Sequence, residues 1–318
     1  MEERNGTIIL DFILLGDQYL LKHSTLLFAL LLIIYNLSLM GNSLILFIIK
    51  MDSRLHTPMY FFLSNLSLLE ILYISTTVPI ILAISLGHDK TISVQGCLVQ
   101  IFFMHFLGCS ESFLLAAMAY DRFVAICMPL HYGMLMKKSI CFQLAASCWV
   151  SGFLEAFVLT VLTSKLTFCG PNKVANFFCD IPPLLKLACT DTHTTETMLN
   201  LAVIMVVFLP FSFIVMSYVL VITNILKIRS AKGRQKAFST CAAHLTVVSL
   251  FYGTIIITYF SPASGSASNK NKLVSLVYTV LTPMLNPLIY SLRNNEVKEA
   301  LKKVFGQKCV TLGTRTIA

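Results

Sequence analysis

Leu26–Ile49 reads LLFALLLIIYNLSLMGNSLILFII and carries no charged side chain. A helix of about 20 mostly apolar residues crosses the hydrocarbon core of a bilayer, and this stretch is long enough to do so. Outward from it, the same signature recurs six times: Pro58–Leu86, Thr91–Tyr120, Ser139–Ser164, Thr197–Leu226, Ala237–Phe260 and Leu273–Leu292. Acids enter these runs only as Glu70, Glu111 and Glu155, and histidines only as His105 and His244. The whole chain of 318 residues is 56% hydrophobic and 12% charged. A soluble domain carries roughly 25% charged residues, so a helix-rich soluble core is excluded. The reading is an all-α membrane protein, a seven-transmembrane helix bundle occupying residues 26–292.

Residues 1–25 then form an extracellular N-terminus and 293–318 a cytoplasmic tail. The first apolar run follows an acidic stretch and lacks a small-residue cleavage site, so it reads as a retained helix. Orientation comes from the basic residues. With the N-terminus outside, sixteen of the 24 Lys and Arg fall on the cytoplasmic side, five of them in the acid-free segment Lys227–Lys236. A net charge of +9 arranged this way, in short segments between apolar runs, does not suit nucleic acid. Asn5-Gly6-Thr7 is a glycosylation acceptor, which also requires an external N-terminus. The expected location is the plasma membrane, crossed several times.

Cys97, Cys169, Cys179 and Cys189 fall on the external side, where an oxidising environment permits disulfides. Cys109, Cys127, Cys141, Cys148 and Cys241 read as small packing residues in or beside helices. Cys309 reads either as a palmitoylation site or as a free thiol. Beyond the seventh run, Asn294–Phe305 places Val297, Leu301, Val304 and Phe305 on one side and Lys298, Lys302 and Lys303 opposite. That spacing predicts a short C-terminal amphipathic helix lying on the membrane surface, against lipid. Pro79, Pro210, Pro283 and Pro287 interrupt predicted spans and supply kinks. Internal repeats, a phosphate-binding glycine motif, a nucleophile–base pair and a metal cage are all unreadable, so transporter halves and enzymes lack support.

Five segments carry a family resemblance: Gly41-Asn42; LHTPMYFFLSNLS at Leu55–Ser67; MAYDRFVAICMPLHY at Met118–Tyr132; KAFSTCAAHL at Lys236–Leu245; and PMLNPLIYSLRN at Pro283–Asn294. Gly-Asn, Asp-Arg and Asn-Pro-x-x-Tyr are general features of rhodopsin-like G-protein-coupled receptors. The longer strings resemble the odorant receptors among them, in the expected order over nearly the whole chain. Phe251-Tyr252-Gly253 replaces the tryptophan and proline common in mid helix six, and no acid stands near Arg234 and Lys236 at the base of that helix. Three residues depart from the pattern: Phe123 where Tyr follows Asp-Arg, Glu70 where Asp is commoner, and Ile80 where Lys follows the proline.

The resemblance implies a receptor, not an enzyme. It would bind a small, largely hydrophobic volatile inside the bundle and activate a heterotrimeric G protein of the stimulatory olfactory type, raising cyclic AMP. A channel, the competing reading, lacks the Asp-Arg and Asn-Pro-x-x-Tyr motifs. Arg122 is charged near the membrane boundary and needs a partner. Asp121 is adjacent, and Tyr218, Tyr290 and the Asn286-Pro287 pair complete an expected activation switch. Intramembrane acids are functional by default, so Glu70 and Glu111, facing each other near Asn286, are expected to hold a sodium ion or share a proton. No other cofactor is expected. Met104, His105, Gly108, Cys109 and Ser112 follow one face of helix three, which the resemblance makes a wall of the ligand cavity. His105 and Cys109, two ligands only, do not make a metal site. The resemblance adds Val203, Val206, Tyr252, Ile255, Ile256, Tyr259, Tyr278 and Thr279 as the opposite wall. With no acid on the helix-three face, an aminergic receptor is disfavoured. A Cys97–Cys179 bridge is also implied, with Cys169 and Cys189 the expected partners of a second.

Overall fold

A computed structural model describes residues 9–16, 23–87, 90–169, 171–260, 276, 279–290 and 296–303. Six long apolar helices follow one another: α1 (Ser24–Met51), α2 (Pro58–Ser85), α3 (Val94–Cys127), α4 (Lys138–Ser164), α5 (His193–Leu226) and α6 (Ala231–Phe260). The seventh span, α7, is helical over 279–290, and a short helix α8 occupies 296–303. Large apolar side chains stand outward: Leu26, Met40, Phe142, Met216 and Val219 are all more than half exposed. In water such a surface would aggregate; in a bilayer it is solvated by lipid.

Lipid tails are as apolar as leucine, so packing and polar contacts, not water exclusion, hold the helices together. Small residues set the close approaches. A Cβ on Gly152 of α4 would lie 2.3 Å from Ser110 Oγ and 2.7 Å from the Phe106 carbonyl of α3. Gly41 of α1 similarly admits the Pro287 ring of α7. Polar bonds then pin the contacts. Asn42 Nδ2 donates to the Pro283 carbonyl at 2.9 Å, and Trp149 Nε1 donates to Asn65 Oδ1 at 3.1 Å.

Several helices outrun the apolar windows that announce them. α5 begins at His193 rather than Thr197, and α6 at Ala231 rather than Ala237, taking most of the basic segment into helix. A helix satisfies its own backbone, so it need not stop where the hydrocarbon does. α3 is 34 residues long and runs to Cys127, so Asp121-Arg122 sits inside its last turns rather than closing its end. Ser93 caps its start by accepting from the Gly96 amide at 3.0 Å. α5 contains a π turn, Ile204–Phe208, just before Pro210.

The chain is not wholly helical. Asp11–Leu14 (β1), Thr91–Ser93 (β2) and Lys173–Val174 (β3) form a small sheet in the order β2-β1-β3. β1 runs antiparallel to β2, with Phe12 opposite Ile92, and parallel to β3, with Leu14 opposite Val174. Alternation along β1 turns Phe12 and Leu14 inward, and both are buried. The N-terminal segment is therefore packed onto the bundle at this end. Cys97–Cys179 ties α3 to the long loop beneath the sheet, and Cys169–Cys189 closes that loop on itself. Gln100 adds a tether, accepting from the Cys179 amide at 2.9 Å.

At the opposite, basic end, Arg54 holds Asp52 through a 2.7 Å ion pair and keeps its carboxyl down at about 2. α8 buries Val297 and Ala300 while Lys298, Lys302 and Lys303 face outward. Tyr60 donates to Glu296 at 2.7 Å and fixes α8 against α2. Asn294, Asn295, Val304 and Phe305 of the expected amphipathic helix, with Asn5 and Cys309, lie outside the described residues.

Candidate functional site

A cavity of about 130 Å³ opens between α3, α4, α5 and α6 under the disulfide-tied loop. Met104, His105, Gly108 and Cys109 form its α3 wall, as their spacing along one helix face requires. A Cβ on Gly108 would meet nothing within 4 Å, so this glycine faces open space. Val203 and Val206 of α5 and Ile255 of α6 stand across from it. The wall is mostly apolar, with its ionisable side chains gathered at one end.

Of the other expected lining residues, the described ones lie outside the cavity wall. Ser112 and Tyr252 are fully buried below the cavity and bonded together at 2.8 Å. Ser112 Oγ also donates to the Val206 carbonyl, which belongs to the π turn of α5. A π turn redirects carbonyls out of the regular helical ladder, and here one binds α5 to α3. Thr279 of α7 is buried behind the wall and bonded to Tyr73, which does reach the cavity. Ile256 is 39% exposed and stands on the outer side of α6. The Tyr259 side chain and Tyr278 lie outside the described residues.

Sequence reasoning missed several lining residues. Tyr73, Leu199 and Val207 have no motif to mark them, because helix rotation alone brings them inward; Phe251 stood in the Phe251-Tyr252-Gly253 string but was not placed in the wall. Glu155 and Asp180 carried a signal, as an intramembrane acid and as the neighbour of a bridged cysteine. Glu155 Oε1 lies 3.4 Å from His105 Nδ1, and Asp180 Oδ1 lies 3.9 Å from His105 Nε2. The acids absent from the α3 face are thus supplied by α4 and the loop.

Deeper in the bundle, Glu70 of α2 and Glu111 of α3 are both buried and face one another. Asn286 Nδ2 donates to Glu70. Glu70 Oε2, Glu111 Oε1 and Asn286 Oδ1 are buried acceptors with no donor among the described residues. Two carboxyls this close cannot both ionise without a proton or a cation between them. The oxygen-only donor set fits a hard monovalent cation such as sodium as well as a shared proton.

At the basic end, Arg122 pairs with Asp121, and Tyr132 donates to Asp121 Oδ1 at 2.8 Å. Burial, and then that neighbouring carboxylate, push the Tyr132 phenol above its ordinary range. Tyr218 does not contact this pair by hydrogen bond; its hydroxyl meets His244 Nδ1 at 2.9 Å, ring stacked on ring. His244 Nε2 lies 3.1 Å from the Leu115 carbonyl, which can only accept, so Nε2 donates. In the neutral ring Nδ1 then accepts from Tyr218. His244 thereby joins α3, α5 and α6. It sits in the KAFSTCAAHL string, but nothing in the string names its partners. Tyr290 is buried near this zone, its hydroxyl without a partner among the described residues. Pro287 of the same motif packs on Gly41.

A cavity at one end, a buried acid pair in the middle and an Asp-Arg pair at the basic end of a seven-span apolar bundle fit a seven-helix membrane receptor. The family model described as olfactory receptor matches residues 31–308. Mouse olfactory receptor 1E16 is 47% identical over 312 residues, covering 98% of this chain and 99% of its own length. Human olfactory receptor 10A7 is 49% identical over 304 residues, 96% of each chain. Human olfactory receptor 11L1 is 45% identical over 309 residues, covering 97% of this chain and 96% of its own. The chain belongs to the olfactory receptor family, whose members are odorant receptors that couple to G proteins and are not enzymes.

Proposed function

We propose that the protein binds small, largely hydrophobic volatile molecules in the cavity against α3. It then activates a stimulatory, olfactory-type G protein, raising cyclic AMP. The observation that carries this is the cavity itself: apolar over most of its wall and with a polar end around His105. Such a site suits a small ligand with one polar handle. The basic end is the docking face for the G-protein α-subunit, reached when α6 moves and uncovers Arg122. The N-terminus is then extracellular, in agreement with the basic-residue count, and the receptor acts at the plasma membrane with lipid around it.

The buried Glu70–Glu111 pair holds a sodium ion or a proton and biases the bundle toward one of its states. A ligand shifts that balance only by binding the two states unequally. A screen of a few hundred volatiles on cells with a cyclic AMP reporter tests the reading. Arg122→Ala is expected to abolish the agonist response, by at least about tenfold in maximum, while ligand binding at the far cavity stays within about twofold. A surface-expressed Arg122→Ala receptor that raises cyclic AMP normally would remove the switch from the mechanism.

A further inference from the structure

The polar end of the cavity is built from acceptors. His105 stands between two carboxyl groups, each ring nitrogen turned toward one of them: Glu155 at 3.4 Å and Asp180 at 3.9 Å. Glu155 has turned away from its neighbours Phe153 and Phe157, which are about half exposed toward lipid, and lines the cavity instead. Its Oε1 is served by the imidazole, but its Oε2 is buried and has no donor among the described residues. A buried carboxyl oxygen without a donor is costly, and more so at membrane depth. Something entering the cavity can supply that donor. The Tyr73 hydroxyl on the wall is engaged with Thr279, and the aliphatic side chains around it supply no donor.

Resting on the odorant-cavity reading, we infer that the ligands are small apolar molecules bearing a hydrogen-bond donor, an alcohol, phenol or amine, received by Glu155. Asp180 reinforces the acceptor character from the loop side. It keeps one oxygen occupied by the Ile181 amide at 2.8 Å, so its carboxyl is held in place. A carboxylic acid ligand would bring a third carboxyl to the same spot and is excluded. An ether or ester offers only acceptors and leaves Glu155 Oε2 unmet. An acid on α4 and an acid on the loop therefore do what an acid on α3 would do, and amines are admitted.

The test uses the full chain in lipid nanodiscs and reads the rise in melting temperature with probe concentration, which does not depend on G-protein coupling. The probes are hexanol, hexylamine, hexyl methyl ether and hexanoate. Hexanol and hexylamine are expected to bind at least about tenfold more tightly than the ether or the acid. In Glu155→Leu that preference collapses, and in Asp180→Asn, which keeps the amide contact, it shrinks by a few-fold. Each variant's ligand-free melting transition shows whether it folds. Equal affinity for all four probes, hexanoate binding as well as hexanol, silence of the wild type to both donors, or a preference untouched by either variant overturns the inference. Gly108→Leu, which fills the open space beside His105, separates this from the underlying reading. If a folded Gly108→Leu receptor still binds, the cavity is not the ligand site. If binding vanishes there while headgroup makes no difference in the wild type, only the donor rule is wrong.

Discussion

At the scale of single residues, the most demanding chemistry is the Glu70–Glu111 pair. We propose that a positive particle, a sodium ion or a proton, lies between these two buried carboxyls, where three oxygens around Asn286 have no donor among the described residues. If that particle is sodium, the wild-type receptor melts higher in sodium chloride than in choline chloride at equal ionic strength. The gain is about 1 kcal/mol when sodium is about fivefold above its dissociation constant. Glu111→Gln supplies its own N–H to Glu70 and should lose the difference. Identical melting of the wild type in both salts would assign the site to a proton. That these acids matter was legible from their position inside apolar runs. That they meet each other was suggested only by resemblance, because the spacing between α2 and α3 does not encode their relative rotation. His244 makes the same point: an intramembrane histidine announces a role, but Tyr218 and the Leu115 carbonyl are found only by packing three helices.

At the scale of elements, α3 is the axis on which the sites are strung. Its two best-defined glycine relationships are opposite in kind. Gly152 of α4 is where α4 touches α3 backbone; Gly108 of α3 faces the cavity. Gly152→Ala forces the helices apart and should destabilise the receptor by about 1–3 kcal/mol. Gly108→Ala meets open space and, with the better helix former, should be neutral or stabilising by about 0.5–1 kcal/mol. Paired melting curves of the two variants decide this; equal losses would mean the α3–α4 contact is not the tight one. Helix existence followed from apolar length alone. Helix ends did not, since α5 and α6 continue past the hydrocarbon into polar residues that a hydropathy window discards. The π turn in α5 was invisible as well: IMVVF reads like any apolar helical turn, and only Ser112 reaching the Val206 carbonyl reveals its use.

At the scale of the whole molecule, the end bearing the cavity is closed by covalent and β-sheet connections between distant parts of the chain. The N-terminal strand, the segment before α3 and the long loop meet in one sheet, and Cys97–Cys179 anchors it. Cys179 itself lines the cavity, so the bridge shapes the site as well as the fold. Cys97→Ser with Cys179→Ser should cost about 2–5 kcal/mol and remove most surface receptor. The matching pair at Cys169 and Cys189, closing only a loop of 20 residues' separation, should cost less. Surface labelling of the two double variants, with peptide mapping of the wild type for free thiols, checks both statements.

By itself the sequence determined that the chain crosses a membrane seven times, because the cost of exposing backbone or charge to hydrocarbon leaves long apolar helices as the one solution for such runs. It also determined the family, since the Asp-Arg, KAFSTCAAHL and Asn-Pro-x-x-Tyr strings are local and survive without coordinates. The tertiary structure decided what those helices present to one another. Glu155 turned inward to His105, Asp180 brought over the cavity by a disulfide, Ile256 left outside it, and β1 folded onto the bundle are all outcomes of rotation, tilt and chain crossing. In lipid the apolar pattern runs nearly all round each helix, so no hydrophobic stripe marks the inner face. Close packing of small residues and buried hydrogen bonds chooses it instead, and those are properties of pairs of helices rather than of any one of them.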